Sequence, residues 1–466
     1  MQANYVMGMV WFAHLQRRLP IVSESVQNIF HNAIHGGLLL RIFCYLALLT
    51  ISFDIFLVIP AGFNIRVSQL FLVVPMVAVL ADGVRRGKVH VPLGTQWLVM
   101  WCLFVLAFIP NTTFLSRSLG YGAWLIFNIL MIFVFVRLFD TWDKCLSLVK
   151  WFIVTFALIA GFGLVQFVFP LFGLPAPLVQ QWWFPDKLAR INGFSYEPSY
   201  YATYMIIGWV ICASLLDSKV RITFFKRSTL LSIFVLLTTA LVLCSSRMGW
   251  IIMAMWYVRY PLLFIKRLVS GSLNIHYLRT SIVLCLVVVT GGIIVVDKIG
   301  SDKMLFLVEG LGLFEASSHS STARTNEFKD TLQLFLDSPF IGYSLGGIAA
   351  ALGNERGVLV DSFELAKEHE GMNVFAETLA ASGILGFIPF AIYIGVLFVK
   401  PFRLASSVAN PEKSIILASL LFALFFELLI LQMNQNILRP YLWALIAILS
   451  CFYHVIKNVA VGNDYH

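Results

Sequence analysis

Apolar runs of membrane-spanning length recur along almost the whole chain, and this leaves few possible folds. A helix needs about 20 apolar residues to cross the hydrocarbon core of a bilayer. Such runs fall near 38–60, 67–82, 94–109, 120–137, 147–169, 199–216, 229–244, 248–265, 281–297, 372–399, 414–433 and 439–456. They are continuous rather than alternating with period two, which argues against a barrel. Inside lipid every backbone polar group must bond within the chain, so continuous apolar runs are expected to be helices. Charged residues make up 12% of the chain and hydrophobic ones 59%. The charged share is about half that of a soluble domain, and no single soluble core could bury so much apolar surface. The expected fold is an all-α polytopic membrane protein of about twelve transmembrane helices.

Charge sets the orientation. The short loops carrying Arg85, Arg86 and Lys88, then Lys219, Arg221, Lys226 and Arg227, then Lys266, Arg267, Arg279, Lys400, Arg403 and Lys413 all fall on one side. The positive-inside rule makes that side cytoplasmic, with both termini on it. The net charge of +9 is read as this anchoring, with no nucleic-acid partner implied. The expected organisation is a cytoplasmic segment 1–36, helices one to nine over 37–297 with an outer loop 170–198, a large outer loop 298–371, helices ten to twelve over 372–456, and a cytoplasmic tail 457–466. Within the large loop a helix is expected over 322–336, capped by Thr322 and stopped at Ser338-Pro339. The seven cysteines suggest neither a disulfide framework nor a zinc site.

The outer side holds the candidate chemistry. Arg190, Arg247, Arg324 and Arg439 lie there at the outer ends of different helices. One such arginine is explained as well by snorkelling to lipid phosphate. Four are better explained by a shared anionic ligand, which a guanidinium binds bidentately at any relevant pH. Glu377 lies one turn inside the tenth span on the face of Asn373, and Glu427 two turns below the outer end of the eleventh. At 1.5 Å per residue both lie roughly 7–10 Å deep, where a carboxylate needs a partner or a wet cavity. A packing hydrogen bond, an ion pair or a direct role would each satisfy them. His369 lies outside near the membrane, as either a solvated side chain or a base. A phosphate-binding GxxxxGK[ST] loop and an outer DxD-type carboxylate pair or His/Cys cluster are missing, so neither metal nor cofactor is expected. Trp182, Trp183 and Phe184 suit interface anchoring or stacking on sugars.

The segment RINGFSYEPSYYATY resembles the R-x-x-G-x-x-x-E-P-S signature of the O-antigen polymerase and O-antigen ligase superfamily. SSRMGW, Arg324 followed by SPFIGYSLGG, MNVFAETLAASGILGF and QMNQNILRPYLW follow in the order of that family, so the resemblance covers about 185–445. FNIRVSQ adds a match in the first half. The resemblance implies a metal-independent, GT-C-like membrane glycosyltransferase acting at the periplasmic face of a bacterial inner membrane. Its substrates would be oligosaccharides linked to undecaprenyl pyrophosphate. A polymerase moves the growing glycan onto the next lipid-linked repeat unit, and a ligase moves the finished glycan onto lipid A core. Arg190, Arg247 and Arg324 match the family's functional arginines, with Glu197 and His369 as candidate bases. Tyr196, Asn373, Glu377, Glu427 and Arg439 are expected to contact substrate. Ligases carry a histidine directly before the asparagine that is Asn373 here. This chain has Met372 there, which favours a polymerase. The implied partners are membrane lipid and a chain-length regulator protein. A transporter of lipid-linked glycan is the rival from another class, but the halves show no convincing internal repeat.

Overall fold

The computed structural model describes residues 37–60, 64–87, 89–184, 186–270, 279, 282, 318–433 and 437–462. The expected segment 1–36 and the ninth span, 281–297, lie essentially outside the described residues. The long helices are α1 (Leu38–Leu49), α2 (Val67–Arg86), α3 (Thr95–Ala107), α4 (Leu115–Leu138), α5 (Trp142–Leu171), α6 (Pro198–Asp217), α7 (Arg227–Leu243) and α8 (Arg247–Val269). After the large loop come α9 (Ser318–Asp337), α10 (Ile348–Glu355), α11 (Phe363–Glu368), α12 (Val374–Ser407), α13 (Pro411–Ile430) and α14 (Pro440–Gly462). Eight of these are long and apolar enough to cross a membrane, and α1, α3 and α7 are shorter apolar helices. The chain is an all-α polytopic membrane protein; the strands among the described residues form two short hairpins.

Helix ends follow local chemistry. Gly87, at φ 61, closes α2 just after Arg85 and Arg86, the left-handed cap and basic last turn that a helix C-terminus favours. Asn410 accepts from the Glu412 and Lys413 amides, and Pro411 opens α13. α6 runs through the middle, packed on α13, α7, α8 and α5. Its spanning window is 83% buried and that of α14 is 89%, against 28% for α8 and 33% for α2. α6 and α14 therefore form the interior, and α2 and α8 face outward.

Three expectations change. The first span, 38–60, is not one helix: α1 ends at Leu49, and Val58–Pro60 pairs with Asn64–Arg66 as β1 and β2. Asp54 breaks the run. It is buried, bridges Arg66 at 2.7 Å and Arg439 at 3.6 Å, and its amide donates to Phe194 O at 3.0 Å. The loop helix starts at Ser318, not at Thr322. The tenth span, α12, is interrupted at Gly383 (φ 56, ψ −174). There the loop 339–344 docks into the break. Tyr343 and Ser344 amides donate to Ala380 O (3.0 Å) and Ala381 O (2.8 Å), and the Ile384 amide donates to Pro339 O (2.8 Å). Irregular backbone at a spanning helix needs such partners.

Candidate active site

The loop before α6 is held from below. Gln166, on α5, accepts the Gly193 amide at 2.8 Å and donates to Gly193 O at 3.0 Å. Asn192 donates to Ser195 O (2.8 Å) and accepts the Gln180 amide (3.2 Å). Both side chains are fully buried. Strands β3 (Trp182–Phe184) and β4 (Leu188–Ala189) pair in this loop, and the Arg190 amide donates to Gln181 O at 3.0 Å. Glu197 then caps α6 ahead of Pro198. The α7–α8 turn passes through Ser245 at φ 56, so that Arg247 opens α8.

These elements, α9 and the start of α12 enclose a cavity of about 730 Å³ lined by Arg190, Glu197, Arg247, Arg324, Asn373 and Gln432, among others. Arg190 Nη1 donates to Gln181 Oε1 (2.7 Å) and Nη2 to Ser245 O (3.1 Å), while its Nε is buried without a partner among the described residues. Its guanidinium carbon lies 5.3 Å from the Trp183 ring centroid, and Trp183 Nε1 donates to Ser245 Oγ at 3.0 Å. Trp183 thus braces Arg190 and the Ser245 turn. Arg247 and Arg324 make neither hydrogen bond nor ion pair among the described residues. Burial pulls Arg190 below its ordinary range, and the neighbouring Arg247 charge adds to this. Glu197 accepts from Ser199 Oγ (3.0 Å) and is exposed. Three guanidiniums around one cavity, none ion-paired among the described residues, can receive a multiply charged anion.

The other candidates lie elsewhere. Arg439 is buried, bridged to Asp54 and stacked 3.8 Å from the centroid of Tyr200. His369 Nδ1 meets Arg356 Nη1 at 3.2 Å and does not line the cavity. Tyr196 is 41% exposed and also lies outside the lining. Glu377 is buried beside Gly371, one turn below Asn373. Glu427 is fully buried, with neither carboxylate oxygen partnered among the described residues. Arg439 and Glu377 are buried in the bundle, whereas Tyr196 and His369 lie outside the cavity lining.

Sequence reasoning passed over Arg117 and Gln181, and gave Gln432, the first residue of QMNQNILRPYLW, no role of its own. Arg117 sits in an outer loop by the same charge topology and could have been found that way. It pairs with Glu370 and donates to Gly346 O (2.9 Å) and Tyr121 Oη (2.8 Å). The two glutamines carry no such signal.

A polytopic membrane protein with a cationic cavity at one end of its bundle is the class that fold and geometry define. Residues 232–391 match the family model described as O-antigen ligase. The match includes Arg247, Arg324 and Asn373. It supports the O-antigen polymerase and ligase superfamily, and with it activity of that type, without separating polymerase from ligase. No curated protein matches the chain.

Proposed function

We propose that the protein is a polysaccharide repeat-unit polymerase, a metal-independent membrane glycosyltransferase. It transfers the growing glycan from undecaprenyl pyrophosphate onto the next undecaprenyl-pyrophosphate-linked repeat unit, for an O-antigen or related surface polysaccharide. The observation that carries this reading is the convergence of Arg190, Arg247 and Arg324 on one cavity without ion pairs among the described residues. In the reaction the acceptor hydroxyl oxygen bonds to the sugar C1 as the C1–O bond to pyrophosphate breaks. The electron pair leaves with the pyrophosphate, which the arginines hold as its charge grows. The acceptor's proton goes to Glu197, the cavity's carboxylate. His369, engaged by Arg356, is dropped as the base. No protonated acid is needed, unlike in a glycoside hydrolase.

The setting proposed is a bacterial inner membrane, with the cavity periplasmic and both termini cytoplasmic. The basic residues at the far end of the bundle support it: Arg85, Arg86 and Arg137 lie in the last turns of α2 and α4, Arg221 follows α6, and Arg227 and Lys413 lie in the first turns of α7 and α13. A chain-length regulator is the expected protein partner. The family description favours a second reading, O-antigen ligase, of which a protein O-oligosaccharyltransferase on the same scaffold is a variant; Met372 at the cavity wall, where ligases carry histidine, speaks against it.

The test is complementation of cells lacking the protein with Arg190→Ala, Arg247→Ala or Arg324→Ala, reading surface glycan on a gel and protein level in the membrane. Each variant is expected to lose about 10²–10³-fold in transfer, the cost of removing one donor from a charge-stabilising site. Single repeat units on lipid A core mean polymerase; lipid-linked polymer that never reaches the core means ligase. Normal glycan from variants at normal membrane level overturns the site. Glu197→Gln is expected to slow transfer by about 10²–10⁴-fold while leaving binding of the lipid-linked donor near normal, as measured in detergent with extracted substrate.

A further inference from the structure

Cations suffice for a pyrophosphate, yet the same cavity is also lined by three carboxamides, Gln181, Asn373 and Gln432. Each has one end committed to the protein. Gln181 Oε1 accepts from Arg190 Nη1 at 2.7 Å. Asn373 Oδ1 accepts from the Phe375 and Ala376 amides at 3.0 and 3.2 Å, capping α12. Gln432 Nε2 donates to Leu428 O at 2.8 Å. These bonds fix which end remains. Turning Gln181 would set its amine against a guanidinium, and turning Asn373 would set an amine against two backbone donors. Turning Gln432 would set its carbonyl against another carbonyl. The remaining ends, Gln181 Nε2, Asn373 Nδ2 and Gln432 Oε1, have no partner among the described residues.

The cavity thus offers two oriented donors and one oriented acceptor beside its arginines. A pyrophosphate is acceptor-only and is repelled by the Gln432 carbonyl. A saccharide hydroxyl both donates and accepts, and a sugar's acetamido N–H donates. The ligand chemistry that satisfies all three ends at once is a hydroxylated sugar attached to the pyrophosphate.

Resting on the polymerase reading, we infer that Gln181 and Gln432 are specificity-determining residues that, with Asn373, bind hydroxyl or amide groups of the sugar next to the pyrophosphate. Gln432 requires a donor on the sugar, and Gln181 requires an acceptor.

The experiment measures affinity of the full-length protein in detergent for two probes. One is undecaprenyl pyrophosphate; the other is the lipid-linked repeat unit extracted from cells lacking this protein. Wild type is expected to prefer the sugar-bearing probe. Gln432→Met and Gln181→Met are each expected to reduce that preference about 5–10-fold, the effect of losing one hydrogen bond at a desolvated site. Gln432→Met keeps side-chain length and leaves Arg190 untouched, so it holds the test if Gln181→Met disturbs that arginine. The inference is overturned if wild type binds both probes equally, or if Gln432→Met weakens both alike. The arginine reading fails separately: Arg247→Ala would then bind undecaprenyl pyrophosphate as well as wild type, whatever the effect of Gln432→Met on the preference.

Discussion

Glu370→Ala should destabilise the folded protein by up to about 3–5 kcal/mol, the cost of breaking a buried ion pair by removing one partner. Arg117 sits in the first turn of α4 at 2% exposure, and its guanidinium also lies 4.6 Å from the centroid of Tyr121. It forms an ion pair with Glu370, whose side chain is 20% exposed, and the buried Glu377 adds a second favourable charge nearby. Removing Glu370 leaves the cation buried; removing Arg117 leaves an acid that can reach water. Glu370→Ala should therefore cost more than Arg117→Met, and the double variant less than Glu370→Ala alone. Denaturant unfolding of the detergent-solubilised protein measures all three. A cost for Glu370→Ala below about 1 kcal/mol would mean the pair behaves as a screened surface contact. Because Arg117 also holds Gly346 O, hydrogen exchange over 343–347 should accelerate with the destabilised variant.

Gly383→Ala and Gly342→Ala should each destabilise by about 3–6 kcal/mol through the docked break in α12, combining backbone strain with lost hydrogen bonds. At φ 56 and ψ −174 the backbone of Gly383 is open to glycine, and a Cβ there would lie 2.3 Å from Phe340 O. A Cβ on Gly342 would lie 2.1 Å from the Ala381 carbonyl carbon. Both contacts involve backbone, so no side chain can swing aside. The loop must withdraw, stranding the Ala380 and Ala381 carbonyls it satisfies. Gly395→Ala, on the same helix with nothing within 4 Å of its Cβ, is the control and should be neutral or stabilising by up to about 1 kcal/mol. Size-exclusion profiles and membrane yield compare the three. Equal behaviour of Gly342→Ala and Gly395→Ala would contradict the docked loop.

Length and hydropathy made the spanning helices legible, because a bilayer forces each to satisfy its own backbone. They failed at 50–60, where a single acid recruits Arg66 and, from far along the chain, Arg439. No local pattern announces a partner at that separation. Charge topology put Arg190, Arg247 and Arg324 on one side, but not their meeting in one cavity, which depends on how α6, α8 and α9 pack. Tyr196 and His369, each next to a motif residue, do not line the cavity, and adjacency in sequence alone does not place a side chain. No role could be read for the carboxamides of Gln181 and Gln432, because a neutral side chain in a loop or at a helix end breaks no rule until its unused hydrogen-bonding end is seen.

The cavity draws its wall from segments spread between Gln181 and Met433. The chain is synthesised from its amino terminus, so the site is complete only once Met433 has been made. A nascent chain stalled after Lys400 would already hold all three arginines, yet would lack Gln432 and all of α13, the helix against which α6 packs most extensively. Its cations would stand in a half-built trough open to one side. The cavity would close only after α13 had entered the membrane.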